Sequence, residues 1–186
     1  MRAVRAAIFV EGESDREALE ALARRRHRDL ESEGVAIASM GGAHAVGRFL
    51  EMYGPQGLNV RLAGLYDAGE EPEVARALGI GDPPAASSRA AVEREGFFAC
   101  DPDLEAELIR ALGADAVERV LAAQGDLVPF RTLQRQLPWR ERAPEEQLHR
   151  FFGSGSRRKI RYGRLLIEAL DLQDVPTPLD SVLAHV

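Results

Sequence analysis

For the first hundred residues, short continuous apolar runs alternate with amphipathic stretches of helical period; after that only the helical period continues. Residues 3–11 pass into a strongly apolar stretch, Ala6-Ala7-Ile8-Phe9-Val10, and predict a central strand. Leu19, Leu22 and Ala23 then fall on one helical face, predicting a helix over residues 15–32. Ser14 serves as its N-cap, and Glu17, three residues on, completes a capping box. Val35-Ala36-Ile37-Ala38-Ser39 predicts a second strand. It is closed by Met40-Gly41-Gly42, a tight turn into a helical pattern carrying Ala45, Val46, Phe49 and Leu50. A third strand is predicted over residues 60–66 and ends on Asp67. Residues 80–94, rich in Gly, Pro, Ala and Ser, read as a loop, and residues 96–100 as a fourth strand. From Asp103 onward the pattern predicts helices over 108–120, 127–137, 145–152, 160–170 and 179–184.

Strand, helix, strand, helix, strand in short order implies a parallel sheet with right-handed crossovers, whose ligands sit beyond the C-terminal strand ends. The expected fold is therefore an α/β parallel sheet of Rossmann-like type flanked by helices, with a C-terminal helical extension. Residues 1–105 are expected to form the α/β core and residues 106–186 the extension. At 186 residues there is room for one such domain with a small helical appendage.

Strand ends change the picture further, because three of the four carry acids. Glu11 closes the first run, with Asp15 four residues on across Gly12; Asp67 closes the third, with Glu70 nearby; Asp103 and Glu105 follow the fourth. An acid at one strand-to-helix turn is explained by the helix dipole. Acids at three exits of one small sheet are expected to converge, and convergent carboxylates call for a cation between them.

The net charge of −6 argues against a wholesale polybasic nucleic-acid binder, yet between Arg131 and Arg164 ten basic residues stand against three acids. A local positive field beside an acidic site suits a phosphate backbone, with Arg131, Arg135, Arg157, Arg158 and Arg161 as candidate contacts. The flexible stretch Gly153-Ser154-Gly155-Ser156 presents Arg157-Arg158-Lys159 at a helix start. Of 24 Lys and Arg residues Lys159 alone is lysine, kept either by chance or because a compact ammonium is needed there. The basic cluster Arg24–Arg28 at the end of the first helix reads as a solvated helix end or a phosphate contact. One cysteine, Cys100, excludes an intrachain disulfide and fits a reducing compartment; no segment reaches the length of a membrane span, and a cytoplasmic location is expected. Phe130, Trp139 and Tyr162 are positioned either for base stacking or for the core.

Val10-Glu11-Gly12-Glu13-Ser14-Asp15, then Gly41-Gly42, then a strand ending in Asp67, resembles the TOPRIM domain of topoisomerases, bacterial primases and OLD-family nucleases. Asp103-Leu104-Glu105 and the Gly-Ser loop with Lys159 look like the OLD-type version. The resemblance implies a metal-dependent nuclease acting on DNA. Glu11, Asp15 and Asp67 would hold Mg²⁺ or Mn²⁺, Glu70 would reach in from the neighbouring position, and Asp103 and Glu105 would serve a second ion. Glu11 and Lys159 would take part in catalysis, Lys159 facing the scissile phosphate. The chain departs from the family at Gly69, where an acid of an Asp-x-Asp pair is common. It also lacks Gly-x4-Gly-Lys-[Ser/Thr], so if ATP is used, as the ATPase domain of OLD nucleases implies, a separate ATPase subunit is expected to supply it. The rival expectations are a catalytically weak module that binds nucleic acid or such an ATPase, and an enzyme of RNA cleavage or nucleotidyl transfer.

Overall fold

In the computed structural model, residues 3–81 and 85–186 are described, with only the backbone of residues 85–87. Four strands, β1 (Ala6–Val10), β2 (Val35–Ser39), β3 (Arg61–Asp67) and β4 (Phe97–Cys100), form one parallel sheet in the order β2-β1-β3-β4. Every residue of β1 is buried, as a continuous apolar run between two covered faces requires. Alternate side chains serve opposite faces. Ala6, Ile8 and Val10 pack with Leu19 and Leu22 of α1 (Glu13–Arg25) and with Leu166 and Ile167 of α9 (Ser156–Ala169). Ala7 and Phe9 pack with Val46 of α2 (Val46–Tyr53), Val74 of α3 (Glu71–Ala77) and Val92 of α4 (Ala85–Arg94). Each such burial of a Phe or Ile contributes about 1.5–3 kcal/mol.

The chain leaves β1 over the α1 face to reach β2, then returns over the α2 face to β3. The crossover direction thus switches between β1 and β3, and a crevice opens at their C-terminal ends. The helical extension, α5 (Leu104–Leu112), α6 (Ala114–Ala123), α7 (Leu127–Gln134), α8 (Pro144–Phe152), α9 and α10 (Thr177–His185), packs on the α1 face and shares its apolar cluster.

Several local expectations change. The first helix starts at Glu13, not Asp15: Gly12 is its N-cap, and its amide donates to Oδ2 of Asp15 at 2.8 Å, while Ser14 is buried inside the first turn. It ends at Arg25 rather than near residue 32, because His27 takes φ 58°. Part of the expected loop over 80–94 is helix α4; residues 82–84 of that expectation lie outside the described residues. The helix expected over 108–120 is two, broken at Gly113 with φ 76°, a conformation glycine alone adopts freely. The seventh helix ends at Gln134, and the helix expected from residue 160 starts at Ser156, placing Lys159 in its first turn.

In the cluster at the end of α1, Arg24 and His27 are exposed, as a solvated helix end requires, whereas Arg25, Arg26 and Arg28 are taken up by the fold. Arg25 donates to the carbonyls of Ile167 and Leu170 at the C-terminal end of α9, the Ile167 carbonyl also accepting from the Leu170 amide at 3.3 Å. Arg26 pairs with Asp180 at 2.6 Å, and Arg28 donates to the Leu183 carbonyl and pairs with Glu33. Among the described residues no helix is long and apolar enough to cross a membrane.

Candidate metal and nucleic-acid site

Glu11 is the first residue past β1, and it ties three strand ends together. Its carbonyl accepts from the amides of Gly41 and Gly42 after β2, and its Oε1 accepts from the amide of Asp67 at the end of β3, at 3.0 Å. The Gly41-Gly42 turn thus folds back onto the end of β1. Asp15 is turned toward the same place by its bond to the Gly12 amide.

Glu11, Asp15 and Asp67 line one cavity of about 350 Å³ together with Gly42, Ser156, Lys159 and Ile160. Lys159 and Ser156 belong to the first turn of α9, whose amide end carries the positive pole of the helix dipole. A backbone contact fixes the approach of that helix to α1. A Cβ on Gly163 would lie 2.8 Å from the carbonyl oxygen of Ser14, so only glycine lets α9 lie this close beside Asp15.

The electrostatics are those of a site short of positive charge. Burial pushes the Asp67 carboxyl up to about 8, and the neighbouring Glu11, Asp15 and Asp103 push the same way. Its side chain makes no capping hydrogen bond to the turn that follows. Burial also raises Glu11; the Asp67 amide opposes this, and Asp15 and Glu70 reinforce it. Asp15 is raised by burial against the pull of the Gly12 amide and Lys159. Burial works to lower Lys159, but Glu105, Asp15 and Asp67 outweigh it, so the side chain is held as an ammonium.

The remaining candidates have other partners. Nζ of Lys159 lies 3.0 Å from Oε2 of buried Glu105, whose Oε1 is buried without a hydrogen-bond partner. Asp103 caps α5 by accepting from the Ala106 amide, and its Oδ2 meets Nε2 of His149 at 2.6 Å. Sequence reasoning missed His149, because it lies on α8, far along the chain from Asp103, and the two share no spacing signal. Glu70 stands in the turn after β3, where its charge acts on Glu11. Among the described residues no three His, Cys, Asp or Glu side chains form a ready metal cage. The carboxylates line the cavity without closing over it.

Of the basic candidates, Arg131 is paired with Glu118 and Gln134, and Arg158 lies over the Phe151 ring at 4.1 Å while donating to the Phe151 carbonyl. Arg135 is the C-cap of α7, and Arg157 and Arg161 are exposed on α9. Phe130 and Tyr162 are fully buried and belong to the core, Tyr162 donating to Asp126 at 2.6 Å.

Residues 4–68 match the family model described as overcoming lysogenization defect protein-like, TOPRIM domain. Among solved structures, the C-terminal region of the Burkholderia pseudomallei OLD protein superposes with a TM-score of 0.75 at 20% identity, covering 98% of this chain and 96% of that one. The C-terminal region of the Xanthomonas campestris pv. campestris OLD protein gives 0.77 at 22% identity, covering 100% and 95%. A curated relative, the pyochelin synthetase PchF of Pseudomonas aeruginosa, is 39% identical over 85 residues, which is 45% of this chain, but the chain spans only 4% of that protein's length. Residues 4–68 thus resemble an OLD-like TOPRIM domain, in a chain with the fold of the C-terminal region of OLD proteins.

Proposed function

We propose that the chain is a divalent-metal-dependent nuclease whose carboxylate cluster hydrolyses phosphodiester bonds, with DNA the favoured substrate. The observation that carries this reading is the convergence of Glu11, Asp15 and Asp67 with Lys159 around one cavity at the switch point of the sheet. The donor set is all hard oxygen, which suits Mg²⁺ or Mn²⁺. A carboxyl raised to about 8 with no capping hydrogen bond, and a buried Glu105 oxygen without a partner, are groups that a cation would satisfy. Glu11, Asp15 and Asp67 would hold the first ion, with Glu70, Asp103 and Glu105 nearby for a second.

When bound, the ions supply an activated water and neutralise charge on the leaving 3′ oxygen. Lys159, held as an ammonium by Glu105, presents a mobile positive charge to the non-bridging phosphate oxygens as charge builds in the transition state. Glu11 fixes the relative position of the three strand ends, so the carboxylates meet the phosphate without reorganising. The likeness to OLD proteins extends the proposal to cooperation with an ATPase.

The test is nicking of supercoiled plasmid by purified protein with Mg²⁺ or Mn²⁺. Activity is expected in the wild type and is lost in Lys159→Ala and in Asp67→Asn. A wild type that leaves plasmid intact with either metal, while binding it, supports the rival reading of a non-cutting nucleic-acid module, which Gly69 in the second acidic position favours.

A further inference from the structure

Resting on the phosphodiester reading above for where the broken bond lies, we propose that the exposed edge of α9 formed by Arg157, Arg161 and Arg164 is the track for the nucleic-acid backbone next to the scissile phosphate. The site would then take a polynucleotide rather than a mono- or dinucleotide.

Positions 157, 161 and 164 follow the helical i, i+4, i+7 spacing, and all three arginines are exposed, whereas Tyr162, Leu166 and Ile167 are turned into the core. Together with Ile160 and Glu17 they line a shallow cavity of about 320 Å³. Ile160 also lines the cavity of Glu11, Asp15, Asp67 and Lys159, so the two depressions are neighbours with Ile160 between them. From Ser156 to Ile167 the helix carries no acid, and its next one is Glu168. Three arginines over seven residues span about 10.5 Å at 1.5 Å per residue.

Other arginines of the basic segment line neither cavity; of these, Arg131 is also held by Glu118 and Gln134, and Arg158 lies against Phe151. On the ridge, Arg157 has no partner among the described residues. Arg161 holds Gln124 and Asp126 through surface contacts, and Arg164 reaches Glu168 only at 3.5 Å. Exposed pairs of this kind are worth about 0–1 kcal/mol and yield readily to a phosphate.

The experiment is fluorescence anisotropy of a labelled single-stranded oligonucleotide with the full chain in EDTA, between about 50 and 200 mM salt. Arg157→Gln, the triple variant Arg157→Gln/Arg161→Gln/Arg164→Gln and, as a charge-matched control, Arg24→Gln on α1 are compared with wild type. Each phosphate contact on a single strand contributes about 0.7 to the slope of log affinity against log salt. The slope should therefore fall by about 0.7 in the single variant and by about 2 in the triple, with no change in Arg24→Gln. A slope unmoved by the triple variant overturns the track, and so does an equal loss in Arg24→Gln. Arg157→Gln breaks no contact within the fold, so its result stands even if the triple variant misfolds. Because binding is read without metal, a wild type that shows the expected slopes but nicks no plasmid overturns the hydrolysis reading alone. A wild type that nicks plasmid while the slopes stay level overturns the track alone.

Discussion

Nζ of Lys159 and Oε2 of Glu105 stand 3.0 Å apart, the ammonium 38% exposed and the carboxylate side chain 5% exposed. The lysine lies on α9 and the glutamate in the first turn of α5, so the pair joins the end of β4 to the basic helix. Breaking a fully buried pair on one side costs about 3–5 kcal/mol; with Lys159 partly in water the expected loss is smaller, about 1–3 kcal/mol. Lys159→Met should lose that much stability in urea unfolding, because Glu105 is left buried and unpaired. Adding Glu105→Gln should recover part of the loss. Losses that simply add would mean that the two side chains do not depend on each other.

Asp67 makes the metal-free protein sensitive to pH. Its carboxyl is raised from an ordinary 3.8 to about 8 in the folded chain, so between those values the native state binds the extra proton. Stability from this group is complete below about pH 4 and is lost as pH rises through about 8. In EDTA the melting temperature of wild type should fall between pH 5 and 8.5 relative to Asp67→Asn, and Mn²⁺ should restore it at the alkaline end for wild type only. Parallel pH profiles for the two proteins would remove Asp67 from the charge cluster.

Gly69 occupies the place of the second acid in the Asp-x-Asp pattern, and a Cβ built there meets nothing within 4 Å. The substitution Gly69→Asp is therefore sterically free. It should tighten Mn²⁺ binding in calorimetry by about tenfold, equivalent to about 1.4 kcal/mol, and raise plasmid nicking at limiting metal. Unchanged metal affinity with an intact fold would show that this position does not face the ion.

The strands were legible because each is a short apolar run closed by a glycine or an acid, and β1 showed its central place by having no polar position between Ala6 and Val10. Helix α4 was not legible. Ala85–Arg94 is mostly Ala and Ser with a weak amphipathic pattern, and it follows the Asp-Pro-Pro of a loop signal. The acids that line the cavity were found from their positions at strand ends, since topology alone brings those together. Contacts between elements left no trace. Nothing in the spacing ties Asp103 to His149, or Arg25 to the carbonyls at the end of α9, because those partners are set by packing angles that local pattern does not encode.

The placement of Arg25 gives a prediction of its own. Its guanidinium donates to the Ile167 and Leu170 carbonyls, so Arg25→Ala takes the side-chain donor from the part-buried Leu170 carbonyl and leaves Ile167 only the Leu170 amide, and should cost about 1–3 kcal/mol in urea unfolding. The same variant should keep the wild-type salt slope for oligonucleotide binding. A reduced slope with unchanged stability would return this arginine to the phosphate-binding set.

The meeting of Gly163 with the Ser14 carbonyl has a consequence for how this chain can vary over time. Main chain lies against main chain there, so the spacing between the carboxylate turn and the lysine-bearing turn is fixed by atoms that every amino acid possesses. Side chains around the cavity are free to drift and be refilled, whereas position 163 tolerates no added carbon without prying the two helices apart. A single missing methyl group thereby acts as the gauge block of the whole centre.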